Sequence, residues 1–444
     1  MGRKPLKDQK DTNKLLKQKT GLQKLKFPLL IFMGLLIAIQ EEQIQSGVKK
    51  ILINTDRQVE SQIIKDYFKN KEGYQVIQSY DRKAHTTNYY LQWAHFYWDI
   101  NFRNIKQGQI VSHLENASDI WDEKNSMFDN LEKFDKNTNY ILKSTDFLPE
   151  TYIWDIENKN VSESEEKLFQ AQNNGDKWIV KNPKGMGGKG IKIINDIESY
   201  ARKIKISKEK QDRNSEFLRF KQAQRYIKNP LLYKGKKAEY RAYVLIACTD
   251  PLLIIFNKGF IKTALRKYDY NSSDMKQHLT NLAEARQHAE EYNQIKNEAY
   301  LNVEDFEKYL IQMGKSQSDI EQLYSKMKAL ITYTFLSGKE SLSKRKFAFE
   351  TFAIDILFDE NLKPYILEIN QPYAVEGANL NGYKDVLPNF YDSTLDLVLQ
   401  IYENNGENLQ TLIGNESKLK LGKYMDIIYN EKTGYNYLNT IDKY

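Results

Sequence analysis

The sequence predicts a mixed α/β fold, and three observations carry that prediction. After residue 48, the segments KKILINT, QVESQIIKDYFKN and YQVIQSY have strand, helix and strand patterns in that order. Two pairs of apolar runs, AEYRAYVLIAC with LLIIFNKGFIKTAL and FAFETFAIDILF with PYILEIN, are each joined by a short turn, as in antiparallel pairs. Residues 283–345 carry apolar side chains at helical spacing. We therefore expect mixed or antiparallel sheets beside a small N-terminal α/β domain.

The chain has 444 residues, which is enough for two or three domains with their own cores. Composition and pattern divide it into five segments. They are a basic leader with a short apolar segment at 1–47, an N-terminal α/β domain at 48–145, a central subdomain at 146–235, a C-terminal subdomain at 236–404 with a helical insertion at 283–345, and a polar tail at 405–444.

The net charge of +7 belongs to the leader. Residues 1–26 contain nine Lys or Arg and two Asp, whereas the rest of the chain has equal numbers of basic and acidic side chains. A neutral body argues against a nucleic-acid-binding surface. The leader itself is typical of a solvated, disordered arm, and it would equally suit an acidic polymer or an anionic membrane.

An apolar run, FPLLIFMGLLIAI at 27–39, follows the basic arm without a charge. A membrane-spanning helix needs about 20 apolar residues, so this run is short for one. It fits a signal-peptide core, a buried helix, or an anchor whose N-terminus stays in the cytosol. Membrane contact through 27–39 remains open on the sequence.

Cysteine and histidine usage limits the chemistry. Cys248 is the only cysteine, so the chain forms no internal disulfide, and a cytosolic compartment is permitted. The five histidines, at 85, 95, 113, 278 and 288, include no pair at metal-ligand spacing. We therefore do not expect a zinc site.

A glycine-rich loop interrupts the segment KWIVKNPKGMGGKGIKII at 177–194. It fits G-x-G-x-x-G, but the residues after Gly190 alternate like a strand, whereas a dinucleotide-binding loop opens a helix. It is not a P-loop, because Lys189 is followed by glycine instead of Ser or Thr. It is not a kinase loop, because the chain has neither H-R-D nor D-F-G. A strand, loop, strand flap over phosphates remains, with a plain glycine-rich hairpin as the alternative.

Two neighbouring strands carry the residues for a metal site. Glu368 and Asn370 are two apart in PYILEIN, so they share one face of the strand. If the DENLK turn sets Asp355 opposite Ile366 or Glu368, all three side chains converge. Buried carboxylates need a cation, and magnesium prefers oxygen ligands. The alternative is a structural ion pair with Arg or Lys.

A second polar face lies in QRYIKNPLLYKGKKAEYRAYVL. Lys237, Glu239 and Arg241 alternate along one strand and would line a polar groove, although a charged strand edge has the same pattern. Residues 224–227 end the preceding strand and would offer backbone edges to a purine base.

In combination, these segments resemble the tubulin tyrosine ligase-like family, whose core is an ATP-grasp fold. The resemblance covers roughly residues 75–402 and depends on WIVKNPKGMGGKGIKII, QRYIKNPLLYKGKKAEYRAYVLIA, HLTN at 278–281 and FAIDILFDENLKPYILEIN. The segments LIACTDPLLIIFNKGFIKTALRKYDYNSSDMKQHLTN and VLPNFYDSTLDLVL are most similar to the polyglycylase branch. The resemblance implies that the segments at 146–235 and 236–404 are the two halves of the ATP-grasp core.

The resemblance also implies the site residues. The implied catalytic residues are Arg241, Lys262 and Asn281. The implied nucleotide-binding residues are Lys181, Gly187, Gly188, Lys189, Gln224, Tyr226, Ile227, Lys237, Glu239 and Thr280. The implied magnesium ligands are Asp355, Glu368 and Asn370.

The implied reaction is amide ligation, with ATP and Mg²⁺ as cofactors. ATP phosphorylates a glutamate side chain in an acidic C-terminal tail of tubulin, and the amine of a free amino acid then displaces the phosphate. Glycine is the expected amino acid, and transfer of glutamate is one alternative. The other alternative is a protein that has lost ligation and binds only nucleotide or microtubules. The implied location is the cytoplasm, on the cytoskeleton or in a cilium.

Three positions depart from the family pattern and bear on activity and on the choice of amino acid. Glu239 stands where the family usually has Asp, and Lys262 stands where an arginine is common. Gln371 follows the metal-site asparagine in place of a small residue.

Overall fold

The structure is a computed structural model that describes residues 47–79, 88–158, 160–182, 190–209, 220–281, 293, 298–371, 373, 384–403 and 409–441. Gly187, Gly188, Lys189, the basic leader and the apolar run at 27–39 lie outside these residues. The predicted mixed α/β fold is confirmed, with one parallel and two antiparallel sheets. Within the described ranges, no helix has the length and apolar character needed to cross a membrane.

The N-terminal sheet is parallel, in the order β2-β1-β3-β4. The predicted strand, helix, strand order is present, because the apolar side of the helix packs on the strands. The elements up to the end of this region are β1 (Lys49–Asn54), α1 (Gln58–Phe68), β2 (Tyr74–Gln78), β3 (Leu91–Ala94), β4 (Ile110–Val111), α2 (Ala117–Trp121), α3 (Lys124–Asn137) and α4 (Ser144–Phe147).

The central sheet is antiparallel, in the order β5-β8-β6-β7. Trp154 and Trp178 are buried between it and two helices. Its elements are β5 (Thr151–Asp155), α5 (Glu163–Gln170), β6 (Trp178–Lys181), β7 (Lys192–Ile194), α6 (Ile197–Glu209) and β8 (Phe220–Arg225). Val180 pairs with Lys192, so the glycine-rich segment joins two antiparallel neighbours, as its flanking sequence predicts.

The C-terminal sheet has eight strands, with the main order β14-β13-β10-β11-β15-β16. Its strands are β9 (Leu232–Tyr233), β10 (Lys236–Thr249), β11 (Leu252–Lys267), β12 (Tyr300–Leu301), β13 (Glu350–Phe358), β14 (Pro364–Asn370), β15 (Met425–Asn430) and β16 (Tyr435–Asn436). The helices around it are α7 (Met275–His278), α8 (Val303–Gln312), α9 (Gln317–Ser337), α10 (Val386–Tyr402) and α11 (Leu409–Ile413).

Both faces of the C-terminal sheet are covered, which explains its continuous apolar runs. On β10, Val244 packs in the cluster that contains Leu330 of α9, whereas Leu245 packs in the cluster that contains Val398 of α10. A strand that is buried on both sides has no solvent face, so its sequence does not alternate. The large central strands are therefore held rigidly, and their ends carry the polar residues.

The segment at 405–444, which the sequence analysis describes as a polar tail, contains regular secondary structure in its described part. Residues 409–441 form α11, β15 and β16, and β15 extends the C-terminal sheet by pairing with β11, for example Ile427 with Ile255. The segment is polar in composition, but Met425 and Ile428 are buried. Pairing with an existing strand edge stabilises a segment whose own apolar content is too small to indicate a strand.

Candidate active site

A narrow cleft of about 70 Å³ lies between the central and the C-terminal sheets. Apolar walls come from both sheets, and polar side chains converge at the strand ends. The lining residues are Pro149, Ile179, Lys181, Ile191, Gln224, Arg225, Tyr226, Ile227, Lys237, Glu239, Lys262, Leu279, Thr280, Asn281, Asp355, Leu357, Leu367 and Glu368.

Strand register brings the charged side chains together. In the C-terminal sheet, Arg241 of β10 is opposite Asp355 of β13, and Asp355 is opposite Glu368 of β14. Glu239 of β10 is opposite Lys262 of β11. The DENLK turn thus places Asp355 opposite Glu368, one of the two registers that make the three predicted metal ligands converge. Four adjacent strands contribute one charged cluster.

Asp355 is the centre of this cluster. It is 2% exposed, and Arg241 donates Nε to Oδ1 at 2.8 Å and Nη2 to Oδ2 at 2.7 Å. Lys262 Nζ donates to Oδ2 at 2.8 Å and lies 3.2 Å from Glu239 Oε2. Burial alone would raise the pKa of Asp355, but the two cations hold that pKa well below its ordinary value. The ion pair that the sequence left as an alternative is therefore present.

Glu368 brings two residues into the site that the sequence did not indicate. Lys124 Nζ, at the start of α3, lies 3.5 Å from Glu368 Oε2. Burial raises the pKa of Glu368, but Lys124, Lys181 and Lys262 together outweigh burial and leave that pKa lowered. Asp122 is nearby, and burial, together with the charge of Glu368, raises the pKa of Asp122 to about 6. Both residues come from the N-terminal region, and no local sequence signal connects them to β14.

Lys181, at the end of β6, is buried and donates to Gln224 Oε1 at 3.0 Å. Gln224 in turn donates its amide to Thr151 Oγ1 at 3.1 Å, which fixes the amide orientation. Burial is the main cause that lowers the pKa of Lys181 to about 8. An ammonium group that is buried next to a neutral amide gains strongly from an anion.

Tyr226 is anchored by a histidine that the sequence placed in HLTN without a role. His278 is buried, and its Nε2 donates to the Ser272 carbonyl at 3.0 Å, so Nδ1 accepts from the Tyr226 hydroxyl at 2.7 Å. Burial lowers the pKa of His278, which favours this neutral form. Lys237 Nζ lies 4.9 Å from the Tyr226 ring centre, and burial lowers the pKa of Lys237.

Two predicted site residues have buried polar atoms that lack a hydrogen-bond partner in the described part of the chain. They are Thr280 Oγ1 and Asn370 Nδ2. Ile227 and Asn281 line the same cleft. Thr280 lines the cleft too, and an orphaned polar atom there fits a site that a polar ligand completes, because leaving it unpaired costs about 1–3 kcal/mol. Asn370 is not among the residues that line the cleft.

Gln371, a departure from the family pattern, does not line the cleft. Its side chain is buried, and Nε2 lies 2.7 Å from His113 Nδ1 and 3.4 Å from Glu350 Oε1. His113 joins the end of β4 to Glu350 at the start of β13. The larger residue at position 371 is therefore accommodated by the contact between the N-terminal and C-terminal sheets.

The cleft lining suits a nucleotide, whereas the oxygen ligands for a metal form only a partial set. Apolar walls beside Tyr226 suit a purine, and the buried cations Lys181 and Lys237 suit phosphates. No group of three or more His, Cys, Asp or Glu at metal-binding separation occurs among the described residues. Two carboxylates and one amide are a partial oxygen set of the kind that magnesium completes with phosphate oxygens and water.

Two antiparallel sheets that face each other across this cleft define an ATP-grasp-like fold. The chain belongs to the tubulin-tyrosine ligase family, because the profile of the Tubulin-tyrosine ligase family matches residues 101–404. The resemblance inferred from the sequence motifs is thereby confirmed.

Several characterised proteins are similar to this chain. Protein polyglycylase TTLL10 of Macaca fascicularis is 30% identical over 277 residues, which cover 60% of this chain and 44% of that protein. Inactive polyglycylase TTLL10 of Homo sapiens is also 30% identical over 277 residues, covering 60% of this chain and 40% of that protein. Probable tubulin polyglutamylase ttll-9 of Caenorhabditis elegans is 26% identical over 370 residues, covering 81% of this chain and 85% of that protein. The chain thus spans less than half the length of the two polyglycylases.

Proposed function

We propose that this protein is an ATP-dependent ligase that adds glycine to glutamate side chains in the acidic C-terminal tails of tubulin. The observation that carries the proposal is the cluster in which Arg241, Asp355 and Glu368 are set opposite one another by strand register. Membership of the tubulin-tyrosine ligase family, with relatives named as polyglycylases, supports the choice of reaction.

The chemistry explains why such a cluster is needed. A carboxylate resists attack by an amine because oxide is a poor leaving group. Transfer of the γ-phosphoryl group of ATP to a carboxylate oxygen, with ADP leaving, gives an acyl phosphate. The amino-acid nitrogen then attacks the acyl carbon, phosphate leaves and the nitrogen loses a proton, which completes the amide. Negative charge accumulates in the first step, so positioning and charge neutralisation dominate the work of the protein.

The described residues divide this work. Lys181 and Lys237 would bind phosphates from the two sides of the cleft. A phosphate-binding role for Lys189 and the glycine-rich segment rests on the sequence, since residues 183–189 lie outside the described part of the chain. Arg241 would stabilise the transferring phosphoryl group, because its fork of donors is already held in place by Asp355. Thr280 and Asn281 would contact phosphates or the acceptor. Residues 224–227 would hold the purine, and Glu239 would lie near the ribose.

Magnesium would be held by Asp355, Glu368 and Asn370, and when bound it neutralises phosphate charge and orients the phosphates. Asp355 is already paired with two cations, so its share in metal binding depends on their rearrangement. Lys124 would then compensate Glu368 on the side away from the nucleotide.

A second candidate is transfer of glutamate by the same mechanism. The probable polyglutamylase of Caenorhabditis elegans matches over more of this chain, and over more of its own length, than the polyglycylases do. A third is a decayed protein that binds nucleotide or microtubules, since one relative at 30% identity is named inactive. We place the protein in the cytoplasm on microtubules or in cilia, with the basic leader docking on acidic tails.

The test is a mass-spectrometric ligation assay with purified protein, unmodified tubulin, Mg-ATP and a mixture of glycine, glutamate and tyrosine. Mass gains in steps of one glycine, absent in Glu368→Gln, are the expected result. Steps of glutamate would keep the mechanism and replace the amino acid. No gain with ATP still bound would favour the decayed protein, and no ATP binding would refute the proposal entirely.

A further inference from the structure

Lys262 connects two carboxylates that belong to different strands. It extends from β11, and its Nζ lies 2.8 Å from Asp355 Oδ2 on β13 and 3.2 Å from Glu239 Oε2 on β10. The residue is 7% exposed, so this ammonium group has little access to bulk water. Its charge is therefore compensated mainly by the two acids that border the nucleotide cleft.

The bonds to Asp355 leave little room for another cation. A carboxylate has about four lone-pair directions, and Arg241 uses one on each oxygen. Lys262 uses a second one on Oδ2. Two positive charges already contact Asp355, and a third cation placed there would meet strong repulsion in a poorly solvated site.

We propose that Lys262 is a resident counter-ion that keeps a free divalent cation out of the Asp355 and Glu368 pair until nucleotide phosphates occupy the cleft. Phosphates offer the ammonium group an alternative anionic partner, so its displacement from Asp355 is compensated only when they are present. Lys181 and Lys237 line the same cleft and favour an anion entering first. The metal then enters with the nucleotide and does not occupy the empty protein.

This inference rests on the proposed nucleotide site, but its decisive measurement needs no nucleotide. Binding of Mn²⁺ alone is followed by electron paramagnetic resonance on the full-length protein and on Lys262→Met, Lys262→Gln and Lys262→Arg. Lys258→Met is the matched control. Lys258 lies on the same strand but pairs with Glu307, outside the cleft.

The expected result is weak nucleotide-free Mn²⁺ binding in the natural protein. Lys262→Met and Lys262→Gln should tighten it by at least about tenfold, since each removes one positive charge a few ångströms from the carboxylate. Lys262→Arg, which keeps the charge, and Lys258→Met should match the natural protein.

Two results would overturn the inference. One is tight Mn²⁺ binding by the natural protein without nucleotide, which requires no variant to fold. The other is an unchanged affinity in whichever of Lys262→Met and Lys262→Gln retains a cooperative thermal transition. A fluorescent ATP analogue, titrated in parallel in the presence of Mg²⁺, tests the nucleotide site separately. If it fails to bind, the proposed function is refuted, whereas the Mn²⁺ affinities still decide the role of Lys262.

Discussion

Glu60 and Asp355 are both buried carboxylates, at 3% and 2% exposure, but different kinds of partner hold them. Glu60 accepts from Thr55 Oγ1 at 2.8 Å and Trp93 Nε1 at 3.1 Å. It also contacts His95 Nδ1 at 3.0 Å and accepts from the Tyr391 hydroxyl at 2.9 Å. Asp355 is held by a guanidinium and an ammonium group at the wall of a cleft.

The difference separates a structural cluster from the cluster that we propose to be functional. The partners of Glu60 come from the end of β1, from β3 and its end, and from α10, so the cluster ties the parallel sheet to the helix that covers the C-terminal sheet. Its bonds use all four lone-pair directions of the carboxylate. The Asp355 cluster lines the same cleft as Thr280, whose Oγ1 lacks a hydrogen-bond partner among the described residues. A network whose polar atoms are all paired favours stability, whereas a network beside unpaired polar atoms favours ligand binding.

The largest effect should come from Glu60→Gln. The amide keeps the shape but turns one acceptor oxygen into an NH₂ group, which faces two donors. Breaking a buried network of this kind costs about 3–5 kcal/mol of unfolding free energy. Chemical denaturation measures the loss, and the nucleotide affinity of the folded fraction should be unchanged.

The matched control for that experiment is Glu321→Gln on α9, at an exposed position. Surface substitutions of this kind stay within about 0.5 kcal/mol. If Glu60→Gln were as stable as this control, the hydrogen bonds of Glu60 would contribute little to the unfolding free energy. Glu60 could then not be distinguished from Asp355 as a structural carboxylate.

Arg241→Lys should have the next largest effect, on ligation more than on stability. Lysine keeps a positive charge beside Asp355 but lacks the fork of donors that makes two parallel bonds. We expect ligation to fall by about 10²–10³-fold, comparable with losing one preorganised donor to a transition state. Turnover under saturating ATP measures it. Equal turnover in the natural protein and in Arg241→Lys would mean that Arg241 does not stabilise the transferring phosphoryl group.

Part of the Asp355 cluster was visible in the sequence, and the reason is local. The spacing of Glu368 and Asn370, and the short turn before them, predict that Asp355 shares their face if it lies opposite Ile366 or Glu368, and the structure has the second of these registers. The strand, loop, strand order around the glycines follows from alternation as well. By comparison, Lys124 and Asp122 reach the site through packing of the N-terminal region, and side-chain patterns within one segment carry no information about that packing.

The same limit applies to the Glu60 network and to the C-terminal strands. Glu60 lies on an amphipathic helix, where its pattern is that of an exposed acid. Its burial depends on Trp93 and Tyr391, which are far away along the chain. Residues 425–430 form a strand because an edge of the C-terminal sheet is available to them. Non-local pairing decides both cases.

Lys181 lines the same cleft as Asp355, and it allows a test of how nucleotide binding depends on pH. Burial lowers its pKa to about 8, below the usual value of about 10.4 for lysine, so the folded protein loses this charge as pH rises through 8. In the protein without nucleotide, the buried charge of Lys181 lowers the free energy of unfolding, and this stability is regained as the pH rises above 8. The charged form of Lys181 is nevertheless the one that binds phosphate. Affinity for ATP should therefore fall about tenfold between about pH 7 and about pH 9. Fluorescent nucleotide titration measures it, and Lys181→Arg, which stays charged, should flatten the profile; a steep profile in that variant would assign the proton elsewhere.

The smallest effect on ATP affinity should come from Tyr226→Phe. This variant tests how far nucleotide binding depends on the hydrogen bond between Tyr226 and His278. The change removes the hydroxyl that donates to His278 Nδ1 but keeps the ring beside Lys237 and in the cleft wall. A buried acceptor left without its donor costs about 1–3 kcal/mol of stability, whereas the purine contact should change only a few-fold, because the ring remains. Calorimetric titration with ATP and thermal unfolding measure the two effects, and Tyr233→Phe, on a strand outside the cleft, is the control. A large loss of ATP affinity with unchanged stability would mean that the Tyr226 hydroxyl contacts the nucleotide directly. His278 would then belong to the binding site itself and would not merely hold Tyr226 in place.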